Sequence, residues 1–400
     1  MALDYHSINA ATGRGLAQAT TDVVSGTEKK DVSDMLDLLA IAETPFINRI
    51  GWGEETGGLK IEWISEDLGP GYVVAGSVKA SAGVSLQIAT VEGLTTAEAS
   101  RQIQTGTVLY HYSADGEHCI MLVVSCGSDG ELEIEVLSTA VTFSVNTSTT
   151  AGDKLYIIGA VANEASLPRS GNWRTRVLNS NVFTILRQDV QISGSMAATD
   201  MYAIGKEDQH QILMRLKEMQ REREKSALLS VKVTPRSVTE ASLMHGALGF
   251  LAAQTGSEID ITTTALTESA VNTVVGACWE SGATSLAFYG ALTQTAKFTQ
   301  WDKTRIRTTI NEGKGGGYIT KYLCECGIEL DIVPLKKFPT NIAFVIDDSK
   351  CKLRAKKGRK AIMEKLGKAG DMDDWQIISE FSMEMKGYNL HQHGLFTKLT

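Results

Sequence analysis

The spacing of apolar positions changes along this chain, and the changes divide it. From Ser33 to Ile47 the run Ser-Asp-Met-Leu-Asp-Leu-Leu-Ala-Ile-Ala-Glu-Thr-Pro-Phe-Ile puts Met35, Leu36, Leu39 and Ala42 on one stripe, the spacing of a short amphipathic helix. Asp31 or Ser33 is the candidate cap, since a side-chain oxygen there accepts from unpaired N–H groups of the first turn. Pro45 disfavours the helical region for Thr44 and is expected to end the run ahead of Gly51. Residues 1 to about 30 are small, polar and rich in Gly and Thr, the texture of an arm ordered by a neighbour.

Strand texture follows. Gly58 to Ile64 alternates like a half-buried strand and runs into a turn at Gly69-Pro70-Gly71. Between about 86 and 162, short strand candidates occur at Val108–Tyr110, Ile120–Val124, Leu132–Val136 and Leu155–Ile158. Turn residues separate them at Asp115-Gly116, Gly127 to Gly130 and Ala151 to Asp153, which predicts a small antiparallel sandwich or barrel. Its ragged polar borders suit a domain inserted into a loop of another domain. A further strand is expected from Val182 to Ile192, and the flanking stretches 58–78 and 173–196 are expected to pair as a long hairpin with the insert near its tip.

A long helix is predicted from Asp200 to Leu229, roughly 45 Å at 1.5 Å per residue. Ile212, Leu213, Leu216 and Met219 give it a narrow apolar stripe, suited to crossing a sheet edge or spanning between subunits. A coiled-coil seam would have to admit Arg223, inside the charged run Arg221 to Lys225. Pairs such as Arg215/Glu218 are surface neighbours on it. Beyond Pro235 helix and strand alternate: a helix from Thr267 to Glu280 capped by Thr267 and stopped at Gly282, a buried strand at Leu286–Tyr289, and a helix at Leu292–Phe298. Arg305–Ile310 and Tyr318–Leu323 are expected to form a hairpin with its tip at Gly313–Gly317, and strands are expected at Ile328–Val333, Ile342–Ile346 and Trp375–Met385.

Composition narrows the class. The 400 residues suggest two or three domains, and 43% hydrophobic with 22% charged is the balance of a folded soluble protein. No apolar run reaches the roughly 18 residues of a membrane span, and the N-terminal residues carry no signal-peptide pattern. A net charge of −8 argues against a dedicated DNA-binder, although not against a protein that encloses DNA without gripping it. Cys119, Cys126, Cys278, Cys324, Cys326 and Cys351 are expected to be free thiols in a reducing cytosol, where the sequon at Asn146 has no meaning.

Candidate chemistry is sparse. Gly313–Gly317 lacks the spacing and the Ser/Thr of a phosphate loop and reads as a flexible tip. Cys324 and Cys326 with His391 and His393 suggest zinc, but the one-residue cysteine spacing is wrong, and on a strand the two thiols would simply share a face. No nucleophile elbow, metalloprotease pair or dinucleotide fingerprint occurs, so the expectation is a non-enzyme with no catalytic residues, cofactor or metal. The strongest charge feature is the basic run Lys350, Lys352, Arg354, Lys356, Lys357, Arg359 and Lys360. It reads as a solvated face or as a contact for an acidic neighbour or packaged nucleic acid.

The order of these parts resembles the major capsid proteins of tailed bacteriophages with the Hong Kong 97-type fold, in the branch whose extended loop carries an inserted β-domain. The residues that carry the resemblance are Ser33 to Ile47 with its Thr44-Pro45-Phe46 step, Arg187 to Gly194 leading into the long helix, and Lys368 to Asp371 followed by Ile377 to Met385. It implies an α+β fold with an arm at 1–50, an extended loop at 51–85 and 163–198, and the insert at 86–162. It also implies a peripheral domain with a spine helix at 199–235 and 341–400, and an axial domain at 236–340. The implied function is a head-shell subunit forming hexamers and pentamers around double-stranded DNA, with scaffold, portal and decoration proteins as partners, no membrane, and assembly in the bacterial cytoplasm. Self-cross-linking by Lys and Asn, known in one member of the fold, has no support here, and no fused scaffolding segment is evident. Another phage structural component, a decoration or tail protein, is the alternative.

Overall fold

A computed structural model describes residues 44–66, 71–75, 85–91, 103–112, 118–126, 131–137, 152–162, 164, 176–199, 207–234, 240–253, 258–260, 265–302, 320–367 and 370–400. The arm, the helix expected from Ser33, the strand expected at 305–310 and the glycine tip at 313–317 lie outside them. The described chain forms two compact units, one made of Gln188–Met219 and Met363–Ile377, the other of Glu43–Arg187, Gln220–Ile362 and Ile378–Thr400.

In the second unit the chain opens with a helix where the sequence suggested an end. Helix α1 (Pro45–Ile50) has proline at its first position, where the missing N–H costs nothing and the fixed φ fits. Thr44 itself is non-helical, at φ −127° and ψ 64°, so the proline both blocks continuation from before and starts a new turn. Gly51 ends it at φ +69°, donating its N–H to the Ile47 carbonyl. Strand β1 (Lys60–Ser65) then alternates, Ile61 and Trp63 inward and Lys60, Glu62 and Ile64 outward.

Six strands follow as a closed antiparallel barrel: β2 (Tyr72–Ala75), β3 (Ser85–Val91), β4 (Thr107–Tyr112), β5 (His118–Cys126), β6 (Glu131–Val136) and β7 (Lys154–Ala160), in the order β2-β3-β6-β5-β4-β7. Val73, Leu109, Met121, Val123, Leu132, Ile134 and Leu155 fill it. The barrel begins at Tyr72, ahead of the border expected at 86, because β2 pairs with both β3 and β7 and is needed for closure. Strand β8 (Val177–Val182) returns antiparallel to β1, Lys60 opposite Val182 and Ser65 opposite Val177. The strand expected from Val182 to Ile192 divides at Phe183. Val182, Phe183 and Thr184 are buried in succession, which breaks the alternation, and β9 (Thr184–Ser193) joins β17 instead of extending the ribbon.

Two helices come next, the short α2 (Gly194–Ala197), capped by Ser193, and the 23-residue α3 (Glu207–Leu229). Then come α4 (Ala247–Ala252), β10 (Glu258–Asp260), α5 (Glu268–Glu280), β11 (Leu286–Ala291), α6 (Leu292–Asp302), β12 (Lys321–Leu323), β13 (Glu329–Leu335) and β14 (Ala343–Asp347). The chain closes with β15 (Cys351–Ala355), β16 (Ile362–Lys365), β17 (Met372–Met385) and β18 (Gly394–Thr397). Thr267 caps α5 by accepting from Ala270 N, and Gly282 follows it at φ +89°, as the spacing predicts.

A mixed six-stranded sheet runs β10-β18-β14-β11-β13-β12. Every residue of β11 and β14 is buried, because strands at the centre of such a sheet are covered on both faces. On one face Phe288, Ile332 and Val345 meet Val271, Val274 and Phe298 of α5 and α6. On the other Tyr289, Val333, Phe344 and Ile346 belong to a core with Phe46 and Ile47 of α1, Trp63 of β1 and Leu228 of α3. The border expected at 340/341 does not divide this sheet: β14 and β18 pair within it. The described part of the arm expected at Tyr318–Leu323 is β12, which pairs with β13 through a turn closed by Gly327 N donating to Cys324 O, and the pairing expected with 305–310 lies outside the described residues.

In the first unit Val190 and Ile192 of β9, Ile212 and Met219 of α3 and Ile377 of β17 form a thin core, with Leu216 and Trp375 packed on it. Leu213, expected in the stripe, is 57% exposed.

Candidate assembly site

The features that can act on a neighbour in this chain are an anchored segment, a two-stranded ribbon and a basic run. The anchor is α1. With Pro45 lacking an N–H and Thr44 making no side-chain cap, the first amides in need of acceptors are Phe46 and Ile47. Both are met by one carboxylate from the far end of α3: Phe46 N donates to Glu224 Oε1 at 2.7 Å and Ile47 N to Glu224 Oε2 at 3.0 Å. Glu224 is 6% exposed. Burial outweighs the two amide donors and pushes its carboxyl up to about 7.

At the other end of α1, Arg49 donates to Asp348 Oδ2 and to Asp331 Oδ2, both at 2.6 Å. Burial works against that guanidinium, yet the hydrogen bonds to Asp331 and Asp348 prevail and hold it above its ordinary value. Asp348 also accepts from Tyr289 Oη at 2.6 Å; burial raises its carboxyl despite these partners. Phe46 packs edge-on against the Tyr289 ring, centroids 5.0 Å apart, and is fully buried. A six-residue helix is thereby tied to α3, β11, β13 and the turn after β14.

The ribbon formed by β1 and β8 presents apolar groups outward. Ile64 and Leu178 stand directly opposite each other and are 64% and 63% exposed, and Leu59, ahead of the ribbon's other end, is 86% exposed. Arg176 and Glu66 pair at the ribbon's end, 3.1 Å apart.

The basic run is largely neutralised in place. Lys350 Nζ donates to Gly282 O and Gln392 Oε1, each at 2.7 Å. Arg354 reaches Glu54 O at 3.1 Å and Glu384 at 3.4 Å, while Lys356 and Arg359 meet Glu380 at 3.5 and 2.7 Å. Lys360 lies over the Trp52 ring, 4.5 Å from its centroid. Lys352 and Lys357 remain exposed.

The imagined zinc set does not come together. Cys324 is buried and Cys326 exposed on the turn after β12, so the thiols do not share a strand face. Burial pushes the Cys324 thiol up to about 12. Buried His393 uses both nitrogens, accepting from Asp347 N at 3.0 Å and facing Lys386 O at 2.8 Å, and burial lowers it to about 4. Among the described residues no three His, Cys, Asp or Glu side chains are grouped to hold a metal. None of the six cysteines forms a disulfide.

Glu224 was the residue hardest to find. It sits in the charged run Arg221–Lys225, yet it is one helical turn before Leu228, which is 1% exposed, and that i, i+4 relation was its signal.

Comparison with curated proteins gives no match. Among solved structures, the chain is similar to one from the cyanophage A-1(L) capsid asymmetric unit, at 9% identity over 94% of this chain and 98% of that one, with a TM-score of 0.53. Chains from Mycobacterium phage Bobi and Microbacterium phage Oxtober96 are each 10% identical over 95% of this chain, covering 97% and 98% of theirs, with TM-scores of 0.47. At such identities the likeness speaks to the fold alone, and the cyanophage capsid carries it: an α+β fold of the Hong Kong 97 type. The family described as SU10 major capsid protein matches residues 15–400, nearly the whole chain, so this protein belongs to that family and is a structural subunit of a bacteriophage head shell.

Proposed function

We propose that the subunit assembles as hexamers and pentamers into a closed head around double-stranded DNA, within the cytoplasm of the bacterial host, as a building block without catalytic activity. The β1–β8 ribbon is its extended loop, the β2–β7 barrel the inserted domain, α3 the spine, and residues 1 to about 30 an arm that packs on a neighbouring copy. The observation that carries this reading is the opposed pair Ile64 and Leu178, apolar and more than half exposed on a ribbon that among the described residues belongs to no larger sheet. A two-stranded ribbon is marginal alone, and exposed apolar groups on it are surfaces a partner covers. DNA is enclosed without a strong grip, in keeping with a net charge of −8 and a basic run paired with Glu380 and Glu384. Scaffold, portal and decoration proteins are the further partners this role calls for.

The test is electron microscopy of the expressed chain beside the double variant Ile64→Lys, Leu178→Lys. The wild type is expected to give shells, and the variant soluble folded subunits without shells. Normal shell yield from the variant would overturn the role given to the ribbon.

A further inference from the structure

We propose that Asn179 and Asn181 are positioning residues that decide which face β8 shows to a neighbouring subunit. The strand Val-Leu-Asn-Ser-Asn-Val is inside out: Leu178 is 63% exposed, while Asn179 and Asn181 on the opposite face are 6% and 0% exposed. Asn181 stands opposite Ile61 and Asn179 opposite Trp63, so both amides share the inward face of the ribbon with its two buried apolar residues. Burial of apolar area alone favours the reverse arrangement, with Leu178 inside and the amides in water. Leucine and asparagine branch at the same carbon and are of similar size, so shape does not choose between them.

Hydrogen bonds make the choice. Asn181 Nδ2 donates to His245 O at 2.9 Å and to Met383 O at 2.8 Å, and its Oδ1 accepts from His245 N and Val182 N, both at 2.9 Å. Both donors and both acceptor positions of that amide are used, and the partners fix its orientation, since a turned amide would set donors against donors. Asn179 Oδ1 accepts from Tyr388 Oη at 2.9 Å, and its Nδ2 donates to Ser65 Oγ at 2.9 Å. The bonds to 245, 383 and 388 reach from the ribbon to the body beneath it. Beyond β8 the chain is held independently: Ser382 Oγ donates to Val182 O at 2.7 Å, Ser242 Oγ to Phe183 O at 2.6 Å, and Met244 N to Thr184 Oγ1 at 2.7 Å.

The competing state is a one-residue slip of β8 along β1. Such a slip turns every side chain of the strand to the other face, which would bury Leu178 and Ser180 and put Asn179 and Asn181 in water. A bulge at Val182 would absorb the displaced residue without disturbing the bonds beyond it. Backbone pairing within the ribbon is remade in either register, but His245, Met383 and Tyr388 keep their asparagine partners only in the observed one. The slipped ribbon would also hide Leu178 and leave Ile64 without its opposed partner. The value of an outward Leu178 rests on the assembly reading above, whereas the choice of face is a property of one chain.

The experiment is disulfide trapping in the full-length unassembled subunit. Glu62 and Ser180 are opposed on the outward face, at a Cα separation that a disulfide spans. Glu62→Cys with Ser180→Cys is therefore expected to cross-link under mild oxidation in the wild-type background. After a slip, position 180 faces inward and the link cannot form. Adding Asn179→Ala and Asn181→Ala is expected to reduce the 62–180 link roughly tenfold or more, because the bonds that favour the observed register are gone. Adding Leu178→Ser as well removes the apolar drive to slip and is expected to restore the link. Peptide mapping separates this link from any made by the native cysteines, and exchange protection of β11 reports that the subunit is folded. Three results would each overturn the proposal: no link in the wild-type background, an undiminished link with both alanines, or a lost link that Leu178→Ser fails to restore. If the double-alanine variant does not fold, Asn179→Ala alone is read in the same way. The link is measured before assembly, so failure of the face selection and failure to form shells are separate results.

Discussion

The β2–β7 barrel and the six-stranded sheet bury their strands in opposite ways. The barrel draws its strands from residues 72–160, closes them on one another, and fills the space with its own side chains. The sheet gathers strands from 258 to 397, and the core on one of its faces needs α1 from residue 45, β1 from residue 60 and the end of α3. A unit built of local hairpins can be removed or broken alone. A core whose wall comes from a segment some 180 residues from its anchor fails whenever that segment lets go, since Phe46 N and Glu224 lie 178 positions apart. The fold therefore has a separable part and an inseparable one.

The largest effect is expected where the distant segment enters the core. Phe46→Ala removes a fully buried ring set edge-on against Tyr289 and should cost about 3–5 kcal/mol. Denaturant unfolding of the unassembled subunit reads this, and exchange protection of the barrel should persist as the sheet loses its own. A loss under about 1 kcal/mol would mean that the sheet core does not depend on α1.

The mirror-image change is Leu109→Ala in the barrel, where the side chain is also fully buried. It should cost about 2–5 kcal/mol, confined to the barrel. Exchange on β4 and β5 should rise while β11 and β14 keep their protection. Simultaneous loss in both regions would show that the barrel and sheet unfold as one, and the contrast drawn above would be wrong.

The same contrast explains what could be read from the sequence. Elements fixed by their own residues were legible: the Thr267-capped helix, the long helix up to Leu229, the turn-punctuated barrel strands and the ribbon pairing of 60–65 with 177–182. The elements misread are those decided by distant partners. Pro45 was legible as a stop, but its role as a start depends on an acceptor at Glu224. The basic run read as a solvated face or an outward contact because Glu380 and Glu384, its counter-charges, sit in a strand whose alternation looked like ordinary core pattern. Of the assembly site, the order of parts and the ribbon were visible, while the α1 anchor was not, since the i, i+4 relation to Leu228 puts Glu224 near the core but does not reveal Phe46 and Ile47 as its donors.

A smaller effect is expected at the ribbon's outer end. Arg176→Ala removes an ion pair with Glu66 between groups that are 70% and 52% exposed, and such pairs contribute about 0.2–1 kcal/mol at most. Subunit stability should be nearly unchanged at physiological salt. A drop beyond about 1 kcal/mol would mean that the ribbon is stiffened by this pair and is not merely flanked by it.

The smallest change to the sheet core should come from the largest deletion. Ser65 and Val177 are directly opposed on β1 and β8, and Glu66 and Arg176 continue the ribbon as an ion pair. The chain that leaves for the barrel and the chain that returns are thus already at hairpin distance, about 5 Å apart between opposed Cα atoms. Replacing residues 67–175 by Asn-Gly joins Glu66 to Arg176 through a two-residue turn whose twist matches that of the flanking strands. The closed loop becomes shorter, which lowers its closure entropy cost and does not strain the ribbon. The barrel core and the sheet core share no residue. The excised subunit should unfold within about 1 kcal/mol of the parent, and its shells are expected to rupture at lower temperature, the outcome that would give the barrel a part in cohesion. A subunit that no longer folds would show that the barrel is as inseparable as α1, and shells of unchanged heat resistance would leave the barrel without a part in cohesion.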